Sequence, residues 1–314
     1  MAAFDKVVLI TRKTTLDELV ERYSTRAQAR FLMESRGESF ADVGAAHATY
    51  YAALAQLKAA LPRGVRVQQI DRGFLPTFLF GPHDLAVTLG PDGLVVNAAK
   101  YLQEQPLLAF NPDPARMDGV LIPFTADHAK AWLPFALDGN LSRRLITMAV
   151  ARLDDGQSLY AVNDLFVGQR SHVSARYRLR YRGQEEAQSS SGIIVSTGAG
   201  STGWLRSILA GAAGVAAGLG GGDKFRDKYR FDPEAESLRF SVREPFASRV
   251  SEAGLVYGDL AGGEELEVAS QMPQNGVIFS DGVEADYLGF DTGRIARIGV
   301  ADRKLHLLAV PGRH

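Results

Sequence analysis

Asp84 to Lys100 reads DLAVTLGPDGLVVNAAK. Leu85, Ala86, Val87, Thr88 and Leu89 make an apolar run of strand length, Gly90-Pro91-Asp92-Gly93 is a turn, and an Ala- and Leu-containing segment of helical character follows. Strand, tight turn, helix is the building unit of an open α/β sheet. Such a unit places the turn, with Gly90 and Gly93, at the carboxyl end of a strand, where helix N-terminal N–H groups face a bound anion. Asp92 sits in the middle of it. A carboxylate does not help to hold phosphate, so three readings stand: a base for a hydroxyl proton, a ligand for a cation that accompanies phosphate, or plain Asp-Gly turn chemistry.

Working outward, the same alternation recurs. Val7 to Ile10 reads as a first strand, too short for a signal peptide or a membrane span. Thr15-Leu16-Asp17-Glu18 fits a capping box, with Leu16, Leu19, Val20 and Tyr23 at helical spacing behind it. A second helix is expected over Phe40 to Leu61, its stripe carrying Val43, His47, Tyr50, Leu54, Leu57 and Leu61, and Pro62 closes it. His47 there is a packing or interfacial histidine. Val65 to Ile70 and Leu107 to Phe110 read as further strands. Strands alternating with helices predict a Rossmann-like parallel sheet over residues 1–138.

From Leu141 the texture changes. Leu145 to Leu153 and Ser158 to Val167 are strand runs joined by the hairpin signal Asp154-Asp155-Gly156, and Val173 to Tyr181 alternates before a turn at Arg182-Gly183. Gly192 to Val195, Leu238 to Val242, Glu265 to Ala269 and Val277 to Ser280 continue the series. A mostly antiparallel β domain over 139–295 is expected. Gly211 to Gly222 reads as a flexible loop after a short helical stretch, Leu205 to Ala210.

Composition narrows the classes. A length of 314 residues accommodates two domains, and a net charge of -1 gives no electrostatic footprint for nucleic acid or an anionic membrane. The absence of cysteine excludes disulfides, thiolate nucleophiles and Cys-ligated zinc, and fits a cytoplasmic setting.

Three further places can carry chemistry. Asn163-Asp164 interrupts an apolar strand. Adjacent residues there point to opposite faces, so one polar group needs a buried partner, from a nucleoside or from a neighbouring loop. Ser196 to Trp204, STGAGSTGW, is a second strand, Gly-rich loop and helix, in which Gly198, Gly200 and Gly203 permit close approach and Ser201 and Thr202 offer hydroxyls to phosphate or ribose. It lacks both the Lys of a Walker loop and the G-x-G-x-x-G spacing. Ser280-Asp281-Gly282 reads first as a hairpin turn.

In this order the pieces resemble the NAD kinase family, most closely the mitochondrial type and its bacterial relatives. They are Gly90-Pro91-Asp92-Gly93, Phe110-Asn111-Pro112-Asp113-Pro114, Asn163-Asp164, Gly200-Ser201-Thr202-Gly203-Trp204 and Asp281-Gly282. The resemblance implies a two-domain phosphotransferase that uses ATP with Mg²⁺ to phosphorylate the adenosine 2′-hydroxyl of NAD, giving NADP. It implies Asp92 as the acceptor of the hydroxyl proton, Asn163 and Asp164 on the adenosine of NAD, and Gly200, Ser201 and Thr202 lining the nucleotide cleft, with Gly203, Trp204 and Asp281 beside them. It also implies a homodimer, and a C-terminal segment, about 296–314, returning to the first domain.

Two positions depart from the family turn Gly-Gly-Asp-Gly-Thr. Pro91 has no N–H, and Leu94 has no hydroxyl. Hydrogen bonds to charged groups are worth about 1.5–3 kcal/mol each, so these losses bear on the donor phosphates. The alternatives are a catalytically impaired NAD- or NADP-binding protein, and a kinase of another small hydroxyl acceptor such as a sugar or nucleoside.

Overall fold

The computed structural model describes residues 3–221 and 228–310, and the chain divides into two units, Met1–Arg144 with His306–His314, and Leu145–Leu305. In the first unit the chain runs β1 (Lys6–Thr11), α1 (Thr15–Tyr23), α2 (Arg26–Ser35), α3 (Phe40–Ala60), β2 (Arg66–Asp71), β3 (Asp84–Leu89), α4 (Asp92–Ala99), β4 (Leu107–Asn111), the short β5 (Phe124–Thr125) and α5 (Ala129–Leu137). The strands pair in parallel in the order β4, β3, β1, β2, with β5 on the far side of β4.

Near-continuous apolar strands are what a sheet covered on both faces requires. Val7, Leu9, Leu85, Val87, Leu89 and Phe110 on one face pack with Tyr50, Leu54 and Leu57 of α3 and Leu133 and Leu137 of α5. Val8 and Ile10, pointing the other way, are buried as well. β3 ends at Leu89, and the Gly90 turn follows it at the carboxyl edge of this sheet, as the opening stretch predicts.

Two local readings change. The cap of α1 is Thr14, one residue earlier than expected: its hydroxyl accepts the Asp17 N–H at 3.3 Å and Asp17 accepts the Thr14 N–H at 2.8 Å. α2 has no apolar stripe to announce it, because it buries only Ala29 and Met33 and leaves Phe31 exposed.

The second unit continues with β6 (Ser142–Leu153, entering from the first unit), β7 (Ser158–Ala161), β8 (Asp164–Gln169), β9 (Ala175–Tyr181), β10 (Gln184–Ser190), β11 (Ile193–Ser196) and α6 (Trp204–Gly218). There follow β12 (Ser237–Val242), β13 (Tyr257–Ala261), β14 (Glu265–Ser270), β15 (Gly276–Ser280), β16 (Val283–Gly289) and β17 (Ile295–Ala309). One antiparallel layer has the order β10, β9, β14, β17, and the other β13, β12, β11, β8, β15, β16. Tyr177, Leu179, Val268 and Ile298 of the first layer meet Leu165, Val195, Phe240 and Ile278 of the second. Burial of such side chains contributes about 1.5–3 kcal/mol each. β17 then runs on into the first unit, where Leu307 pairs in parallel with Leu107 of β4.

Two expectations are corrected here. Ser158 to Val167 is not one strand: β7 pairs with β6, β8 pairs with β11 and β15, and the chain changes layer at Val162-Asn163. Asn163 and Asp164 are therefore not opposite faces of a strand but a corner between two sheets. Gly211–Gly218 is not a loop but the second half of α6, where four alanines outweigh the glycines; Gly222 lies outside the described residues.

Candidate functional site

The turn after β3 is held from both sides. Gly90 donates its N–H to the Phe110 carbonyl at 3.2 Å, and a Cβ on it would lie 2.9 Å from Leu94 Cδ2, a contact real side chains do not make. Pro91 is the N-cap of α4, extended at φ -74° and ψ 170°, and its carbonyl accepts the Leu94 N–H at 2.8 Å. Leu94 itself is buried. Gly93 faces open space.

Asp92 opens α4, where a carboxylate complements the helix dipole. Its Oδ2 accepts the Val120 N–H at 3.0 Å and its Oδ1 the Leu121 N–H at 2.9 Å. A carboxylate offers about four acceptor positions, so each oxygen retains one. The loop Asp92 grips is itself built by the Asn111–Asp113 motif. Asn111 donates to the Met117 carbonyl at 2.9 Å and accepts the Asp113 N–H at 2.9 Å, and Asp113 pairs with Arg116 at 2.7 Å. Beside the turn lies a crevice of about 320 Å³ lined by Arg12, His47, Tyr50, Pro91, Arg116 and Met117 among others. Burial pushes the Tyr50 phenol up to about 12, and it accepts the Arg12 N–H at 3.1 Å.

The other sequence candidates meet in the second unit. At the sheet-changing corner the Asn163 carbonyl accepts the Thr197 N–H at 2.9 Å, and the Thr197 hydroxyl reaches the Val162 and Asn163 carbonyls. Gly200 packs so closely that an added Cβ would stand 2.0 Å from the Asn163 carbonyl oxygen, and one on Gly198 would stand 2.2 Å from that of Asp232. Only glycine allows backbone to lie on backbone in this way. Asp281, at φ 54° in the hairpin turn between β15 and β16, accepts the N–H groups of Val162 (3.1 Å), Asn163 (2.7 Å) and Asp164 (3.3 Å).

Within that frame the side chains divide. Ser201 is buried and donates to the Gly198 carbonyl at 2.6 Å, and Trp204 stacks on Phe166 with the rings 5.7 Å apart and 2° from parallel. Both build the loop. Gly203 and Thr202 are exposed. Among the described residues, the Asn163 amide, the Asp164 carboxylate and the Thr202 hydroxyl have no hydrogen-bond partner. Asp164 is only 8% exposed, and burial first, then the charge of Asp281, pushes its carboxyl up to about 7. A buried carboxyl without a partner is costly unless a ligand supplies one.

Sequence reasoning singled out Asn163, Asp164, Gly200 and Asp281, and the structure brings them together. It passed over Thr197 as a site residue, though a hydroxyl residue just before a glycine loop was the available signal. Val120 and Leu121 act through backbone N–H groups and leave no signal at all. Among the described residues no three His, Asp or Glu side chains are grouped to hold a metal ion, and no helix is long and apolar enough to cross a membrane.

An α/β unit with a parallel sheet, joined to a two-layer antiparallel β unit, is the class of fold these elements define. No protein-family model matches the sequence, and no curated protein matches it. Solved structures do match its fold. The yeast NADH kinase complexed with NADH aligns over 97% of this chain and 83% of its own, with a TM-score of 0.62 at 15% identity. An NAD kinase from Archaeoglobus fulgidus in complex with ATP aligns over 98% of this chain and 94% of its own, with a TM-score of 0.58 at 16% identity. The chain has the fold of the NAD kinases, in agreement with the family its motifs resemble.

Proposed function

We propose that this chain is an NAD kinase-like phosphotransferase, transferring the terminal phosphoryl of ATP to the adenosine 2′-hydroxyl of NAD to give NADP. The observation that carries the reading is the corner at Asn163-Asp164, where an amide and a buried carboxyl without partners are presented by a frame of Thr197, Gly198, Gly200 and Asp281. In it Asn163 and Asp164 hold adenosine hydroxyl and amine groups, and Thr202 adds an exposed hydroxyl. Asp92 takes the proton as the 2′-oxygen attacks the γ-phosphorus and ADP departs, through a lone pair that Val120 and Leu121 leave open. Phosphoryl transfer needs positioning and charge stabilisation more than covalent chemistry, so a Gly-rich cradle, a cation and one aligned base can suffice. Mg²⁺ usually binds through substrate phosphates and one or two carboxylates, so it enters with ATP. The resemblance adds a homodimer, which sedimentation tests, and the cysteine-free composition fits a cytoplasmic setting.

Incubation with NAD, ATP and Mg²⁺ is expected to yield NADP, and Asp92→Asn to cut turnover at least about a hundredfold with NAD affinity retained. No NADP from either ATP or inorganic polyphosphate removes the kinase reading. A second reading, nucleotide binding without transfer, is favoured by the missing N–H at Pro91 and by the two backbone bonds already on Asp92. NAD binding in calorimetry with no product formed selects it.

A further inference from the structure

Two carboxylates share the corner, and they are used differently. Asp281 is committed to the backbone: both of its oxygens accept N–H groups of the 162–164 turn, and its own N–H donates to the Asp164 carbonyl at 2.9 Å. Three N–H groups aimed at one side chain are the partners an ionised carboxylate takes. Asp164, 8% exposed, receives no such bond among the described residues. Across β11 its partner is Ser196, and across β15 Ser280 faces the next residue, Leu165. Asp281 is the charged group that acts on Asp164 in this setting.

We propose that Asp281 is a positioning residue that clamps the corner and sets its charge against Asp164, so that a nucleoside seated there drives a proton out of the Asp164 carboxyl. The proposal rests on the nucleoside reading of the corner. In the empty corner two negative charges are held apart by a proton on Asp164, in line with a carboxyl pushed up to about 7. Ribose hydroxyls are donors, and they bind an ionised carboxylate about twice as strongly as a neutral acceptor. Seating the ribose therefore favours the anion, and the Asp164 proton passes to solvent. Asp281 acts through the 162–164 backbone it grips. Together with burial, its charge makes the event proton-linked by holding Asp164 protonated beforehand.

The experiment is calorimetry of NAD binding at about pH 6.5 in buffers of different ionisation enthalpy, which counts protons released. The wild type is expected to release roughly half to one proton and to gain about tenfold in affinity from pH 6 to pH 8. Asp281→Asn is expected to release clearly fewer protons and to show a flatter affinity profile, because Asp164, then raised by burial without the Asp281 charge, is already ionised in more of the molecules. If Asp281 were merely structural, its loss would weaken binding equally at every pH and leave the proton count unchanged, which overturns the proposal. A ¹³C titration of the Asp164 carboxyl in the ligand-free protein gives a second readout: its midpoint falls by at least about one unit in Asp281→Asn, and an unmoved midpoint overturns the coupling. Should that variant not fold, Asp164→Asn serves, since proton release persisting without Asp164 is equally fatal. Absence of NAD binding by the wild type overturns the nucleoside reading instead, a result the ligand-free titration cannot imitate.

Discussion

Asp164 carries an energetic burden that its function would explain. Its folded carboxyl titrates at about 7 against an ordinary 3.8, raised by burial and then by Asp281. Between those values the folded state binds more protons than the unfolded chain, so stability falls as pH rises from about 4 to about 7 and stays low above that. Asn cannot ionise. Asp164→Asn is therefore expected to match the wild type below about pH 4 and to exceed it above about pH 7, by an amount on the order of 2–4 kcal/mol. Urea unfolding at both ends of the range checks it, and equal stabilities at high pH would contradict the burial argument. Asp92 and Asp281 illustrate the limit of reading residues from sequence. Both stood out as acids in turns, and both turn out to accept backbone N–H groups, of Val120 and Leu121 in one case and of Val162 to Asp164 in the other. A backbone donor has no letter in the sequence, so the choice between anchoring and chemistry was open at both positions.

At the scale of elements, the start of α4 decides what its unusual turn tolerates. Leu94 is 3% exposed and packs against Gly90, so Leu94→Thr removes core volume and buries a hydroxyl without restoring a free one. A loss of about 2–4 kcal/mol in unfolding free energy is expected, which excludes it as a simple repair of the turn. Pro91→Gly is the cleaner test, because it returns one N–H at an extended N-cap position. If that N–H limits donor binding, the KM for ATP falls while NAD affinity stays. The Gly-rich loop obeys a different constraint: Gly200→Ala drives a Cβ into the Asn163 carbonyl, with an expected loss of at least about 1–3 kcal/mol and weakened NAD binding together. Elements with a single clear pattern were legible, β3 as an unbroken apolar run and α3 as an apolar stripe at helical spacing. The break between β7 and β8 was not, because the apolar residues on either side of Asn163-Asp164 read as one run. What breaks them is Asp281, 117 positions away from Asp164. α6 was cut short because Gly211, Gly214 and Gly218 look like loop residues when the alanines between them are discounted.

For the whole molecule, the change from strand–helix alternation to successive antiparallel strands was visible in residue pattern alone, since a covered parallel strand is apolar throughout whereas β9 alternates strictly between buried and exposed. The return of the chain's end to the first sheet was not visible in pattern and came only with the family resemblance. It has a mechanical consequence. β17 begins beside β14 in the second unit and ends with Leu307 on β4 and Leu308 in the core that α3 and α5 cover, so the first unit is completed by a segment that follows the second unit in sequence. Leu308→Ala opens a cavity in that core at an expected cost of about 2–5 kcal/mol. Because the side chain belongs to the core of the first unit, hydrogen exchange should quicken in α3 and in β1 and β3 while β9 and β10 keep their protection. Uniform loss of protection across both units would mean that they unfold as one cooperative body, and unchanged exchange in α3 would mean that the last strand does not support the sheet from which the Asp92 turn projects.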